Sequence, residues 1–236
     1  MNEIRSIGIA SPRVEGEEKV SGSAIYAEDI ALPEMLWAKV LRSPVAHARI
    51  KKIDIIQAEK FPGVRAVITG ADLAGARIGK KIVDMPIIAE TVVRYIGEKV
   101  AAVAAETEAI AEAALDLVDV EYEDLPVLMD PLQAAQSEAP LLHPEVAQYK
   151  GLLHKIDVPS NVFVHLKWKK GEVEEGFRQS DQVIENTFTV PAVHQAYIEP
   201  HASVVRLRPD GGADIWSSNK SPFALREQLG LSLIHI

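Results

Sequence analysis

Apolar and polar positions alternate in short runs from residue 36 onward. Leu36–Leu41 and Arg49–Ile53 fit strands, parted at Ser43-Pro44, where proline removes a backbone donor and favours a turn. The stretch "IIQAEKFPGVRAVITG" then fits a short helix, a turn at Pro62-Gly63 and a strand over Val64–Thr69. The same rhythm returns in "EKVAAVAAETEAIAEAALDLVDVEYEDLPV". Here Val100–Ala105 is a strand of small residues, and Thr107 can cap a helix. Helical spacing puts Ile110, Ala113, Ala114 and Leu117 on one face of that helix, with Glu108, Glu112 and Asp116 opposite, and a strand follows at Val118–Tyr122. Two strand–helix–strand units in succession predict helices packed on a sheet.

The periodicity fades over residues 131–160, where four prolines and few β-branched residues predict a connector wrapped over a surface. It resumes with a strand in "NVFVHLKWKKG", a short amphipathic helix in "EVEEGFRQS" and a strand in "DQVIENTFTV". In "ASVVRLRPDGGADIW" two alternating strands flank Pro209-Asp210-Gly211-Gly212, the turn chemistry of a β-hairpin. A boundary near residue 145 is therefore expected between two domains.

Length and composition narrow the class without changing this outline. A chain of 236 residues, 47% hydrophobic and 25% charged, can bury a core without staples. It has no cysteine, which excludes disulfides, iron–sulfur ligation and thiol catalysis by its own residues. The first twenty residues carry charge throughout and lack an apolar signal region, and no apolar run approaches the roughly 18 residues of a membrane span. A soluble, cytoplasmic protein is expected. The net charge is -9, and residues 100–149 hold eleven acidic side chains with no lysine or arginine. Such a face argues against nucleic-acid binding, which needs cations to neutralise phosphates, and is expected to be solvated or partner-facing.

Candidate chemistry is sparse. "GADLAGARIGK" at 70–80 is rich in glycine, but no lysine and hydroxyl follow its second glycine as a phosphate loop requires. His194, Tyr197, Glu199 and His201 cluster within eight positions. An extended backbone would put Glu199 and His201 on one face and His194 on the other, which is poor geometry for a shared metal. No G-x-S-x-G elbow is present, and His47, in apolar surroundings, fits a satisfied structural histidine.

Several ordered segments nevertheless resemble the large subunit of the molybdenum hydroxylases, the family of xanthine dehydrogenase, aldehyde oxidase and aerobic carbon monoxide dehydrogenase. "KVSGSAIYAEDIALPEMLWAKVLRSPVAHARI" (19–50), "FPGVRAVITGADL" (61–73), "VVRYIGEKVAAVAAET" (92–107) and "VDVEYEDLPVLMDPLQA" (118–134) look like its α/β hammerhead domain. "HQAYIEPHA" (194–202) and "ADIWSSNKSPFALREQLG" (213–230) look like the opening of its cofactor domain. The likeness runs from about Ile7 to Gly230.

The resemblance implies an α+β fold: a hammerhead domain over 1–140, a connector over 141–160, and over 161–236 the first part of a mixed α/β molybdenum-cofactor-binding domain. It implies an oxidoreductase that hydroxylates an electron-poor carbon of a small molecule with water. Its cofactor is molybdenum-molybdopterin, expected in the cytosine dinucleotide form, and electrons leave through an iron–sulfur subunit and an FAD subunit. The cofactor-binding candidates are Lys220, Asn219 and Glu199. Many relatives have Thr-Gln-x-Pro where this chain has "SSNKSPF". Anchored on Pro222, the glutamine position falls on Lys220, with Asn219 before it, and a lysine offers donors but no acceptor. Glu199 is expected to fix a buried turn beneath the cofactor pocket by accepting hydrogen bonds from the backbone or from His201. The Gly-Gly-Phe-Gly loop and the basic glutamate of the family are expected beyond Ile236, with "LSLIHI" a departure from the family pattern, so this portion alone is not expected to turn over substrate. Two readings from other classes stand beside it: a non-catalytic hammerhead scaffold that docks redox subunits, and a ligand-binding protein using a crevice between domains.

Overall fold

The computed structural model describes residue 8 and residues 10–233. They fall into two compact units, one drawn from Met1–Pro33 with Val190–Glu227 and one from Glu34–Thr189 with Gln228–Ile236. In the larger unit the strands are β1 (Trp37–Arg42), β2 (Ala48–Asp54), β3 (Val64–Thr69), β4 (Arg77–Ile78), β5 (Met85–Pro86), β6 (Val92–Val93), β7 (Lys99–Ala105) and β8 (Asp119–Asp124). The smaller unit holds the helix Gly16–Ser21 and the hairpin of β9 (Ser203–Leu207) and β10 (Ala213–Ser217). The fold is α+β, and every ladder among the described residues is antiparallel.

The repeated strand–helix–strand rhythm does not build a parallel sheet. One sheet has the order β1-β7-β3 and another β6-β2-β8. The helix Ile56–Glu59 links β2 to β3, and the helix Glu108–Leu115 links β7 to β8, so each crosses from one antiparallel sheet to the other. The central strand β7 explains the small-residue run. Ala101 and Val103 enter a core with Ala58, Val67, Ala114 and Val118, whereas Val100 joins Ala48, Ala89 and Val93 in a second core. A strand covered on both faces is apolar throughout and cannot alternate. Alanine at 101 and 105 leaves room for the close approach of helix Glu108–Leu115, whose Ala111 and Ala114 are fully buried.

That helix is rotated from the expected face. Thr107 caps it as predicted, its side chain accepting from the Ile110 amide at 3.2 Å. The buried line, however, runs through Ala111, Ala114 and Val118, while Ala113 and Leu117 are exposed. The helix stops at Leu115, and tight bonds from Leu117 N to Ala114 O and from Val118 N to Leu115 O turn Val118 inward. Glu108 and Glu112 lie outside as expected, both ion-paired with Lys39 at 2.5 and 2.9 Å. The turn at Pro62-Gly63 also forms. Gly63 has φ 88°, and a Cβ there would come 2.7 Å from Ile110 Cδ1.

Two expected strands are absent. Residues 161–171 and 181–190 are irregular and exposed, and only the helix Val173–Gln179 forms between them. A strand is stabilised by its neighbours, and no described strand pairs with these segments. The expected tail at 231–236 continues the helix Pro222–Leu233 as far as Leu233, and 234–236 lie outside the described residues. Among the described residues no helix is long and apolar enough to cross a membrane.

The stretch after residue 131 does wrap a surface. Asn161 ties it down, donating to Ala134 O at 3.0 Å and Pro140 O at 2.9 Å and accepting from Leu142 N at 3.0 Å. Val83 N donates to Lys150 O at 3.0 Å, and Ile82, Val146 and Tyr149 make a third small core. Gly151 has φ 83°, and a Cβ there would collide with the Lys81 carbonyl.

Truncating Val103, fully buried in β7, to alanine should cost roughly 2–3 kcal/mol through lost transfer energy and the cavity left behind. Leu117→Ala should cost well under about 1 kcal/mol, because that side chain does not reach the core. Urea midpoints at constant slope would check both. Equal losses would contradict the observed rotation of the helix.

Candidate functional site

The hairpin β9–β10 gathers residues that are far apart in sequence. Beyond the last paired residues, Ser218 N donates to Ala202 O and Ala202 N to Ser218 Oγ, each at 3.0 Å. Ser203 and Ser217 hydroxyls lie 2.9 Å apart. The segment ending at His201 and the segment starting at Asn219 therefore leave the same end of one hairpin. Arg206 and Arg208 both reach Asp214 across the strands, and Arg206 lies over the Trp216 ring at 5.6 Å. These contacts brace the hairpin from its open face.

Asn219 has a local task. Its Oδ1 accepts from Ser221 N at 2.6 Å, a side-chain turn leading into the helix Pro222–Leu233. Proline at the first helical position suits this entry, since its missing N–H would have had no partner. Lys220, held between the two, is exposed and has no carboxylate within 4.0 Å among the described residues. Its three donors and its charge are free to meet an acceptor.

Glu199 does not fix a buried turn. It is exposed, and it hydrogen-bonds neither to His201 nor to the backbone among the described residues. The turn is shaped instead by His194, whose Nδ1 accepts from Ala196 N at 3.0 Å, with Ala196 at φ 49°. The Tyr197 ring lies 5.1 Å from His194 and 4.7 Å from His201, edge-on to the latter. The reason is physical: among the described residues no strand pairs with residues 181–200 to exclude water, so a carboxylate there keeps its hydration instead of recruiting backbone donors. His47 is buried as a structural histidine, its Nδ1 donating to Pro126 O at 2.6 Å. The glycine-rich stretch at 70–80 starts with a capped turn, Asp72 accepting from the amide and hydroxyl of Thr69 at 2.7 and 3.0 Å.

The larger unit holds a polar network that no sequence pattern announced. Glu145 Oε1 accepts from Tyr149 OH at 2.8 Å, from Arg94 Nη2 at 3.0 Å and from Arg77 Nη2 at 3.2 Å. Arg77 also lies over the Tyr149 ring at 5.2 Å. Since the only tyrosine proton goes to Glu145, the tyrosine oxygen accepts from His143 Nδ1, 2.8 Å away. Burial, the largest influence on Glu145, pushes its pKa up, but the Tyr149 and backbone hydrogen bonds and the two guanidiniums outweigh it and hold it low. Burial, then Arg94, holds the His143 imidazolium below its ordinary pKa of 6.5. Burial and the carboxylate of Glu145 push Tyr149 up. His143, Glu145 and Tyr149 are near neighbours in sequence, but Arg77 comes from β4 and Arg94 from the residue after β6, so nothing local signals the cluster.

Comparison with known proteins places these elements. Residues 21–126 match the family model described as "Aldehyde oxidase and xanthine dehydrogenase, a/b hammerhead domain", and residues 153–233 match "Molybdopterin cofactor-binding domain". The chain thus joins a hammerhead domain of the aldehyde oxidase and xanthine dehydrogenase kind to the start of a molybdopterin cofactor-binding domain. It is 39% identical over 218 residues to a probable xanthine dehydrogenase subunit of Bacillus subtilis, covering 92% of this chain and 27% of that one. It is 32% identical to the nicotinate dehydrogenase large molybdopterin subunit of Eubacterium barkeri, covering 92% of this chain and 48% of the relative. Among solved structures, the CO dehydrogenase from Oligotropha carboxidovorans superposes with a TM-score of 0.82 at 31% identity, over 95% of this chain and 29% of that one. The chain thus spans between about a quarter and a half of the length of these relatives.

The network carries a signed pH dependence. His143 has its folded pKa depressed below 6.5, so its contribution is complete above that value and is lost as pH falls through the folded pKa. Glu145 acts in the same direction at lower pH, below its ordinary value of 4.5. The thermal midpoint should therefore fall between about pH 7.5 and about pH 5.5. His143→Gln should flatten that decline. Glu145→Gln should cost roughly 2 kcal/mol at neutral pH by leaving Arg77 and Arg94 without a counter-charge. A decline of equal size in the His143 variant would contradict this account.

Proposed function

We propose that this chain supplies the hammerhead domain (1–140), the connector (141–160) and the first part of the cofactor domain (161–236) of the molybdopterin-binding subunit of a xanthine dehydrogenase-type hydroxylase. The observation that carries the reading is the succession of the two family matches, with the two segments that carry Glu199, Asn219 and Lys220 leaving one end of the β9–β10 hairpin. The reaction inserts an oxygen from water into an electron-poor C–H bond of a small molecule, releasing two electrons and two protons.

The residues at the hairpin end fit the role of donors to an electron-rich group. Lys220 offers three N–H donors and a positive charge, with no competing carboxylate within 4.0 Å among the described residues. Asn219 has its oxygen committed to Ser221, which leaves its two amide hydrogens. Glu199 is an acceptor, suited to the N–H groups of a pterin. Molybdenum-molybdopterin, in the cytosine dinucleotide form, supplies the oxygen transfer and accepts the electron pair when bound. Lys220 stabilises negative charge electrostatically and orients the group from one side. The electrons pass to iron–sulfur and FAD subunits, in keeping with the absence of cysteine from this chain. We place the assembly in the cytoplasm.

The test is Lys220→Gln in the subunit assembled with its partners. If the ammonium faces the cofactor, kcat toward the native substrate changes by about tenfold at unchanged molybdenum content. Retention of molybdopterin, read by the fluorescence of the released pterin, should weaken in Asn219→Ala and Glu199→Ala. Unaltered kinetics and retention in all three variants would remove these residues from the site and favour a scaffold that docks redox subunits.

A further inference from the structure

Glu98 is only 4% exposed, yet no arginine or lysine nitrogen among the described residues comes within 4.0 Å of its carboxylate. Charges this deeply buried are normally paired, because desolvation otherwise costs several kcal/mol. Its Oε2 accepts from the backbone N–H of Arg94 at 2.6 Å, and Oε1 has no protein donor among the described residues. The neighbouring guanidinium does not serve it. Arg94 spends its side chain on Leu142 O at 3.0 Å, on Glu145 at 3.0 Å and on Val92 O at 3.5 Å.

Glu98 lines an open cleft of about 390 Å³, within the usual range for small-ligand sites. Tyr95, Met85, Pro86, His143 and Lys80 also line it. His143 brings a second acceptor. Because Nδ1 donates to Tyr149, Nε2 carries the ring's lone pair. The Glu145–Tyr149–His143 chain thus fixes a tautomer that can receive a hydrogen bond. Tyr95, about half exposed, adds an aromatic wall. A carboxylate oxygen, an imidazole lone pair and an aromatic face together suit a planar cation with several N–H donors.

The geometry points to a binding site for a guanidinium group in the cleft between Glu98, His143 and Tyr95. One N–H edge pairs with Glu98, another donor meets His143, and the flat face rests on Tyr95 or beside the Met85 thioether. The group can arrive on a small molecule or as the arginine side chain of a polypeptide. Lys80, exposed at the same cleft, and Arg94, which also lines it, oppose any cation by charge, with Asp84 partly offsetting them, so the Lys80 charge sets the affinity of the site. The inference stands independently of the cofactor reading, since it uses only the larger unit.

The test is an NMR titration of the 236-residue chain with methylguanidinium and, separately, with N-acetyl-arginine methylamide, following the side-chain resonances of His143 and Tyr95. Saturable shifts are expected from both, and tetramethylammonium, a cation without N–H donors, should produce none. Tighter binding of the arginine derivative would identify a polypeptide source, and equal binding a small-molecule one. Glu98→Gln should weaken binding about tenfold or more. Lys80→Glu, on an exposed position that leaves the fold untouched, should strengthen it by roughly threefold. Should Glu98→Gln fail to fold, the Lys80 variant still decides. Absence of saturable shifts, an equal response to tetramethylammonium, or indifference to the Lys80 charge would each overturn the assignment.

Discussion

Burial of β7 on both faces is the constraint from which the larger unit follows. Val100 faces the sheet built on β2, while Ala101 and Val103 face the helix Glu108–Leu115 and the residues around Ala58. Each face demands side chains that fill the space without forcing the layers apart, and alanine and valine meet both demands. The antiparallel pairing of β7 with β1 and β3 satisfies its backbone on both edges. With strands and helix fixed around β7, Ile53 and Val120 bridge the two cores, and the second sheet cannot drift relative to the first.

Polar contacts then fasten what apolar burial cannot reach. The connector is held by the small core of Ile82, Val146 and Tyr149 and, beside it, by Asn161, which satisfies three backbone groups, and Glu145, which neutralises two guanidiniums. Such a network is directional, whereas the alanine-rich core is not, and its partly buried charges make it responsive to protons. The same network fixes the His143 tautomer and so reaches the cleft beside Glu98. Stability of the connector and chemistry of the cleft share one set of hydrogen bonds.

The hairpin is the corresponding device in the smaller unit. Its register is set by the Pro-Asp-Gly-Gly turn and reinforced by Asp214 between two arginines. By pairing Ala202 with Ser218 it juxtaposes two segments that are well separated along the chain. Asn219 gives its oxygen to the start of the following helix, and Lys220 beside it meets no carboxylate among the described residues. Glu199 is exposed and pairs with no strand among the described residues, which shows that an acidic residue in an apolar run is not by itself a buried one.

Local physics was enough for much of this chain. The strands β1, β2, β3, β7 and β8, the Thr107 cap, the Pro-Gly turn and the hairpin were all legible, because each depends on side-chain period or turn chemistry within a few residues. The resemblance to molybdenum hydroxylases rested on whole stretches of sequence in order, and the succession of domains followed from it. Partner choice was not legible. A strand–helix–strand period does not say whether its two strands share a sheet. The 161–171 and 181–190 runs carry strand-like sequence without a described neighbour, and a small shift at the end of helix Glu108–Leu115 changes which side chains are buried. The Arg77–Arg94–Glu145 network and Glu98, which accepts from a backbone N–H and meets no cation among the described residues, belong to the same class. They depend on groups that the packed layers set side by side, and the free energy that selects such contacts exists only once those layers have formed.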